Sequence, residues 1–320
     1  MNNIQPMASG PTLVMGNNGT NLGRDKLPWS KETWNRIDQA VHDEVQRIRV
    51  AAKVFPVRPY PNARTIPSDI INGLPAAMPA AGAGRAAPVV ALALTVDEGA
   101  ETSFIEISRA FALTENQCEQ EESLGTAAML SRFAATAVAM AEDILIFQGG
   151  AAPLPPGVVV QRAATAGIGL LGLAARDIPV AAIPGAPGTY GDATFVAVTQ
   201  GIAELQADGQ PGPYALFLGY PVYADTYRPI VAGAVIGSLI TVADRIVPLV
   251  CGGFHGTSTL PADRGVLVSL AGEPTTISVS LDAVTSFTQQ DVQRLYQFNV
   301  VERIQYRARD PRAIRSFTFA

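Results

Sequence analysis

The chain has 320 residues and a net charge of −5, with 48% hydrophobic and only 16% charged residues. An average soluble domain carries roughly 25% charged residues, so a chain this sparing with charge implies that water does not cover its whole surface. The acidic balance and the lack of Lys/Arg runs exclude a basic footprint for nucleic acid.

Residues 1–28 are rich in Gly, Asn and Pro and predict an arm or flexible leader. They lack a basic n-region and an apolar h-region, so they do not read as a secretory signal. A helix follows over 29–56. Ser30 is its expected N-cap and Pro56 its stop. Trp34, Ile37, Val41, Val45, Ile48, Ala52 and Phe55 recur at three- and four-residue steps, which predicts one apolar stripe. Glu32, Asn35, Arg36, His42, Asp43, Gln46 and Arg49 fall on the other face.

Residues 57–113 predict an extended segment and a hairpin arm. Seven prolines between 56 and 88 argue for irregular backbone. VVALALTV (89–96) and ETSFIEISRAFAL (101–113) read as two strands around a Gly-containing turn. A two-stranded hairpin is marginal alone in water, so this arm needs a partner surface.

Residues 114–150 predict one long helix. Thr114 and Gln117 have capping-box spacing. Glu115, Glu119, Glu121 and Glu122 fill the first turns, where the dipole favours acids, and Gly149-Gly150 ends the run. From Glu115 to Gln148 the rod would be roughly 50 Å long. Glu142 and Asp143 lie near its C-terminal end, where the dipole disfavours negative charge.

Residues 151–264 predict short mixed elements. VVVQ reads as a strand, and GIGLLG (167–172) as a turn and short helix. Asp192 begins another helix, YALFLG (214–219) is a buried strand, and SLITVADRIVPLV is a helix or strand. From 265 to 320, GVLVSL and TTISVSL read as consecutive strands, and VVERIQYRARD (300–310) as a final one. The fold class is α+β.

Sequence alone carries no enzyme signature. GIGLLG matches G-x-G-x-x-G, but Pro179 cuts any following helix too short for a dinucleotide fold. Adjacent Glu142 and Asp143 point about 100° apart on a helix and form no facing acid pair. Cys118 has no neighbouring base in sequence, which favours an inert thiol. Two cysteines fit a reducing cytoplasm and exclude a disulfide framework. With two histidines, they also argue against a structural zinc site. No apolar stretch reaches the ~18–20 residues of a membrane helix, and no cofactor, metal or membrane is expected.

The order of elements and several phrases resemble one family. FALTENQ (111–117) and AMAEDILIFQGG (139–150) are similar to the strand-to-spine junction and helix end of the encapsulins. These are bacterial shell proteins with the tailed-phage major capsid fold. GLLG (169–172), GQPGPYALFLGYPVY (209–223) and GVLVSLAGEPTTISVSLD (265–282) continue the resemblance. So do Glu302, Tyr306, Arg307, Pro311 and Ala313; it covers about residues 29–316. It implies a lumen-facing first helix, a hairpin arm, a spine helix, a mixed axial domain over 151–264, and a return to the peripheral domain over 265–320. It also implies a cytoplasmic icosahedral homo-oligomer holding a cargo enzyme by a short terminal targeting peptide. Peroxidases and ferritin-like iron oxidases are the implied cargo classes. The cargo groove would draw on Val45, Ile48, Arg49, Ala52, Val279, Leu281 and Phe287. Glu142 and Asp143 would pair across subunits with Arg85, Arg109, Arg303 or Arg307. TNLGRDKL (20–27) loosely resembles a targeting peptide and suggests an arm lying in the chain's own groove. The alternative is a phage or prophage major capsid protein.

Overall fold

The computed structural model describes residues 22–67, 70–72, 95–97, 99–184, 186, 188–228 and 240–320. In chain order, helix α1 (Lys31–Ile48) leads through a 3-10 turn (Ala51–Lys53) to strands β1 (Val57–Pro59), β2 (Thr65–Pro67) and β3 (Ile70–Asn72). Strands β4 (Thr95–Asp97), β5 (Glu101–Ser103) and β6 (Ile105–Leu113) run into helices α2 (Glu115–Glu119), α3 (Glu121–Leu124) and α4 (Thr126–Gln148). Next come β7 (Val158–Gln161), α5 (Gly169–Leu173), β8 (Arg176–Val180), α6 (Asp192–Ala207) and β9 (Tyr214–Gly219). Helices α7 (Tyr220–Thr226) and α8 (Val242–Ile246) precede β10 (Gly253–Thr257). Strands β11 (Arg264–Ser269), β12 (Thr275–Gln290), β13 (Tyr296–Ala308) and β14 (Ile314–Phe319) close the order.

Two five-stranded sheets organise these elements. The first has the order β1-β12-β13-β6-β7 and the second β10-β9-β11-β14-β8. Helices α1 and α4 pack against the first sheet. Val41, Val45, Ala134, Val138, Leu145, Ile105, Ile277, Val300 and Ile304 share one buried core there. A second core lies between α6, α8 and the second sheet, with Val198, Leu205, Ile246, Leu216, Leu267 and Phe317.

The capping expectations hold in detail. Ser30 accepts the Thr33 N–H at 3.1 Å, and Thr114 and Gln117 form a full capping box. Four other expectations are corrected. The rod expected over 115–148 is three helices. Gln120 leaves helical geometry and Gly125 turns left-handed at φ 62°, so only the 23 residues of α4 form a continuous spine. Residues 105–113 are not the return strand of the arm. They pair with β13 inside the first sheet, while the arm's described pairs are β2 with β5 and β3 with β4. Most of VVALALTV lies outside the described residues, as does Arg85. Residues 265–320 divide between the sheets: β12 and β13 join the first, β11 and β14 the second. Helix α1 ends at Ile48, because Arg49 leaves helical geometry (ψ 134°) before the 3-10 turn.

The leader also differs where it is described. Leu22 and Leu27 are buried, and the Leu22 carbonyl accepts the Phe287 N–H at 2.8 Å. Arg24 grips both oxygens of Asp38 at 2.6 and 2.8 Å and also donates to the Thr285 carbonyl. Trp29 stacks on Phe298 at 5.4 Å and donates to the Cys118 carbonyl at 2.7 Å. Residues 22–29 are therefore part of the fold.

Candidate functional site

Arg49 stands at the end of α1, and its guanidinium is buried. Its Nε donates to Glu142 of α4, and its Nη2 donates to Glu302 of β13. The same Nη2 lies 3.4 Å from Asp282 of β12, and Asp282 faces His42 of α1 at 3.6 Å. One cation thus ties α1 to the spine helix and to two central strands. Buried guanidinium–carboxylate pairs of this kind fix geometry, because a displaced partner leaves an unpaired buried charge.

Asp143 serves a different purpose. Its two carboxylate oxygens accept the Val50 and Ala51 N–H groups at 2.9 and 3.0 Å. Those donors open the 3-10 turn after α1 and would otherwise be unpaired. The expectation that Glu142 and Asp143 face a neighbouring subunit's arginines is therefore corrected. Both are 1% exposed and find their partners within the chain.

The remaining expected contacts also have intrachain partners. Arg303 pairs with Glu106 at 2.6 Å, Arg109 donates to the Pro156 carbonyl, and Arg307 is buried. The expected cargo residues do not form one surface. Val45 and Val279 lie in the core between α1, α4 and the first sheet, and Ile48 and Ala52 pack against it half-buried. Arg49 is the hub of the ionic cluster. Leu281 and Phe287 instead line a half-open cavity of about 430 Å³ on the first sheet, with Leu22, Gly23, Lys26, Glu106, Val301 and Arg303 around it. Leu22 and Gly23 of the TNLGRDKL stretch thus lie directly beside Phe287. A Cβ on Gly23 would come within 2.2 Å of the Phe287 carbonyl, so only glycine allows this approach.

GIGLLG has a packing role of its own. Gly149, at φ 87° where α4 ends, meets Gly167–Gly169 backbone to backbone, and a Cβ on either Gly149 or Gly169 would clash with main-chain atoms. The Cys118 thiol is pushed up to about 12 by burial and by Glu121, Glu115 and Glu119, which keeps it protonated and poorly nucleophilic.

Sequence reading missed Arg49 and Glu302 as ionic partners, yet a signal existed. Val300, Glu302 and Ile304 alternate onto one buried face of β13, so a carboxylate occupies an inward strand position. In a charge-poor chain such an acid demands a buried cation.

The two sheets with a spine helix and an amphipathic leader helix define the fold of virus-like shells. The virus-like particle protein of Pyrococcus furiosus superposes with a TM-score of 0.61 at 13% identity, covering 89% of this chain and 99% of the other. The capsid of Myoviridae phage XM1 gives 0.53 at 12% identity, with 85% and 92% covered. Residues 19–305 match the family Linocin_M18, described as encapsulating protein for peroxidase, and the chain belongs to that encapsulin family. The type 1 encapsulin shell protein EncA of Myxococcus xanthus (strain DK1622) is 24% identical over 298 residues, spanning 92% of this chain and 94% of the relative. The chain is a structural shell protein rather than an enzyme.

Proposed function

We propose that copies of this chain close into an icosahedral compartment in the cytoplasm, and that the compartment encloses an enzyme carrying a short terminal targeting peptide. Self-assembly into a shell follows from the family. The observation that carries the reading in this chain is the arm. Its described strand pairs, β2–β5 and β3–β4, are isolated two-stranded sheets three residues long. Such ribbons are marginal in water without another layer, and a neighbouring copy supplies one. Electron microscopy of the purified protein is expected to show closed particles of uniform size. Material that stays folded at the mass of one chain would refute the reading.

Cargo recruitment has its own support. The cavity beside Leu281 and Phe287 sets these two side chains, Leu22 and Val301 among the polar Ser286, Thr288, Asn299 and Arg303, a lining that suits a short peptide with apolar anchors and a polar backbone. Anchor truncation commonly costs more than 1 kcal/mol, and 1.4 kcal/mol is tenfold in affinity. Leu281→Ala is therefore expected to weaken capture of a peptide-tagged enzyme by about tenfold while particles still form. Unchanged capture would move the cargo contact elsewhere.

A further inference from the structure

Asp282, Glu142 and Glu302 converge on Arg49, with Asp143 beside Glu142 on the Val50 and Ala51 N–H groups and His42 at the edge of the group. Four acids accompany one permanent cation, so the fully ionised cluster would carry surplus negative charge out of water. That state is costly. The hydrogen bonds locate where the surplus is relieved. Both oxygens of Asp143 accept backbone N–H groups, which favour its ionised form. Glu142 takes Arg49 Nε, and Asp282 accepts from its own neighbour Ala283 N–H and faces His42. Glu302 differs. One of its oxygens takes Arg49 Nη2, and the other, Oε2, is buried with no hydrogen-bond partner among the described residues. A bare, buried carboxylate oxygen is where a proton lowers the energy most.

We propose that Glu302 holds a proton at neutral pH and that this proton acts as a latch, its loss as pH rises loosening the end of α1 from the spine helix and the first sheet. The charged groups acting on Glu302 are Arg49 at the end of α1, Glu142 and Asp143 from α4, and Asp282 from β12, behind which His42 of α1 stands. Strand β6 places uncharged Ile107 opposite it.

The titration directions agree with this geometry. Burial pushes Glu302 well above the usual carboxylate range against the pull of Arg49. Burial likewise raises Glu142, and burial together with Glu142 raises Asp143 to about 7. The Asp282 carboxylate, 3.6 Å away, raises His42 above 6.5 against the effect of its burial. Groups with raised folded values hold more protons folded than unfolded, so stability falls as pH climbs from the unfolded values through the folded ones. Asp282 has the opposite sign: burial opposes the shift, but His42 and Arg49 hold it below 3.8. Its contribution is lost only at lower pH. Through neutral and alkaline pH the surplus acids therefore all act in one direction.

The test uses the whole purified protein. Thermal melting and amide hydrogen exchange at Val50 and Ala51 are compared at about pH 6 and about pH 9, with exchange corrected for base catalysis. The wild type is expected to lose melting temperature and protection at the higher pH. Glu302→Gln keeps the shape of the protonated side chain, and is expected to retain the lower-pH melting temperature and show a shallower pH slope than the wild type, with Glu142, Asp143 and His42 supplying the remainder. Glu106→Gln, whose carboxylate pairs with Arg303 outside the cluster, is the control expected to keep the wild-type slope. A wild-type slope in Glu302→Gln, or a flat wild-type profile, would overturn the proposal. Should Glu302→Gln fail to fold, infrared spectra of the wild type decide. A buried protonated-carboxyl band at neutral pH that disappears on alkalinisation supports the latch, and its absence overturns it.

Discussion

Asp143 answers why a charge-poor chain places acids at the unfavourable end of its main helix. The unfavourable interaction with the α4 dipole is a few tenths of a kcal/mol to ~1 kcal/mol. It is offset by two charge-assisted hydrogen bonds to the Val50 and Ala51 N–H groups, each typically about 1.5–3 kcal/mol. Glu142 is accounted for by Arg49 in the same way. The position of this contact decides what a mutation does. Asp143 is nearly inaccessible to solvent, so Asp143→Lys buries a cation beside Arg49 and leaves two backbone donors unpaired. The expected outcome is loss of the folded subunit, read as lost helical circular dichroism and insoluble expression. A well-folded variant that merely fails to assemble would restore the idea of a cross-subunit contact.

At the scale of elements, the leader segment and the first sheet depend on each other through aromatic stacking. Phe298 of β13 lies between Trp29 and Phe111, at 5.4 and 5.2 Å with near-parallel rings. Trp34 meets Trp29 at 4.9 Å, and the Arg24 guanidinium lies 4.6 Å over the Trp34 ring. Each aromatic pair adds about 0.5–1.5 kcal/mol beyond burial. Trp29→Ala removes two of them and is expected to cost on the order of 1–3 kcal/mol, measured as a lowered unfolding midpoint of the purified protein. A midpoint equal to wild type would make residues 22–29 an ornament on the fold. The broken spine belongs to the same scale. Gly125 allows the left-handed turn, and buried Glu121 accepts the Ala127 and Ala128 N–H groups at 2.6 and 3.2 Å. An acid that reads as filling the first turn of one long helix thus caps the start of a separate one.

For the whole molecule, the shortage of charge has a physical counterpart in what the single chain leaves uncovered. Met129 and Phe133 stand one helical turn apart on α4, and Phe133 is 70% exposed. Leu124, Val196, Tyr220 and Ile240 are also large, apolar and exposed. Scattered exposed apolar residues are ordinary, but a shell protein buries several faces against its copies. Phe133→Glu is expected to leave the isolated subunit folded, because its side chain packs little within the chain, and to reduce the yield of closed particles in size-exclusion chromatography. Full assembly would remove this face of α4 from the subunit interface. The capsid-like fold alone is shared with phage capsids, and the match over residues 19–305 is what places the chain among the encapsulins.

Local chemistry settled what the sequence could reveal alone. Ser30 and the Thr114–Gln117 box mark helix starts because a cap and its donors lie within three residues. The stripe of α1 and the buried strand YALFLG follow from hydrophobic periodicity, and the family phrases carried the α+β shell fold. Tertiary structure alone decided which acids meet Arg49, since Glu142, Asp282 and Glu302 lie 93 to 253 residues away. It likewise assigned residues 105–113 to the central sheet and 314–319 to the second one. Strand pairing and buried ion pairs depend on approach through space between distant segments, and local periodicity in a single chain contains no record of that distance.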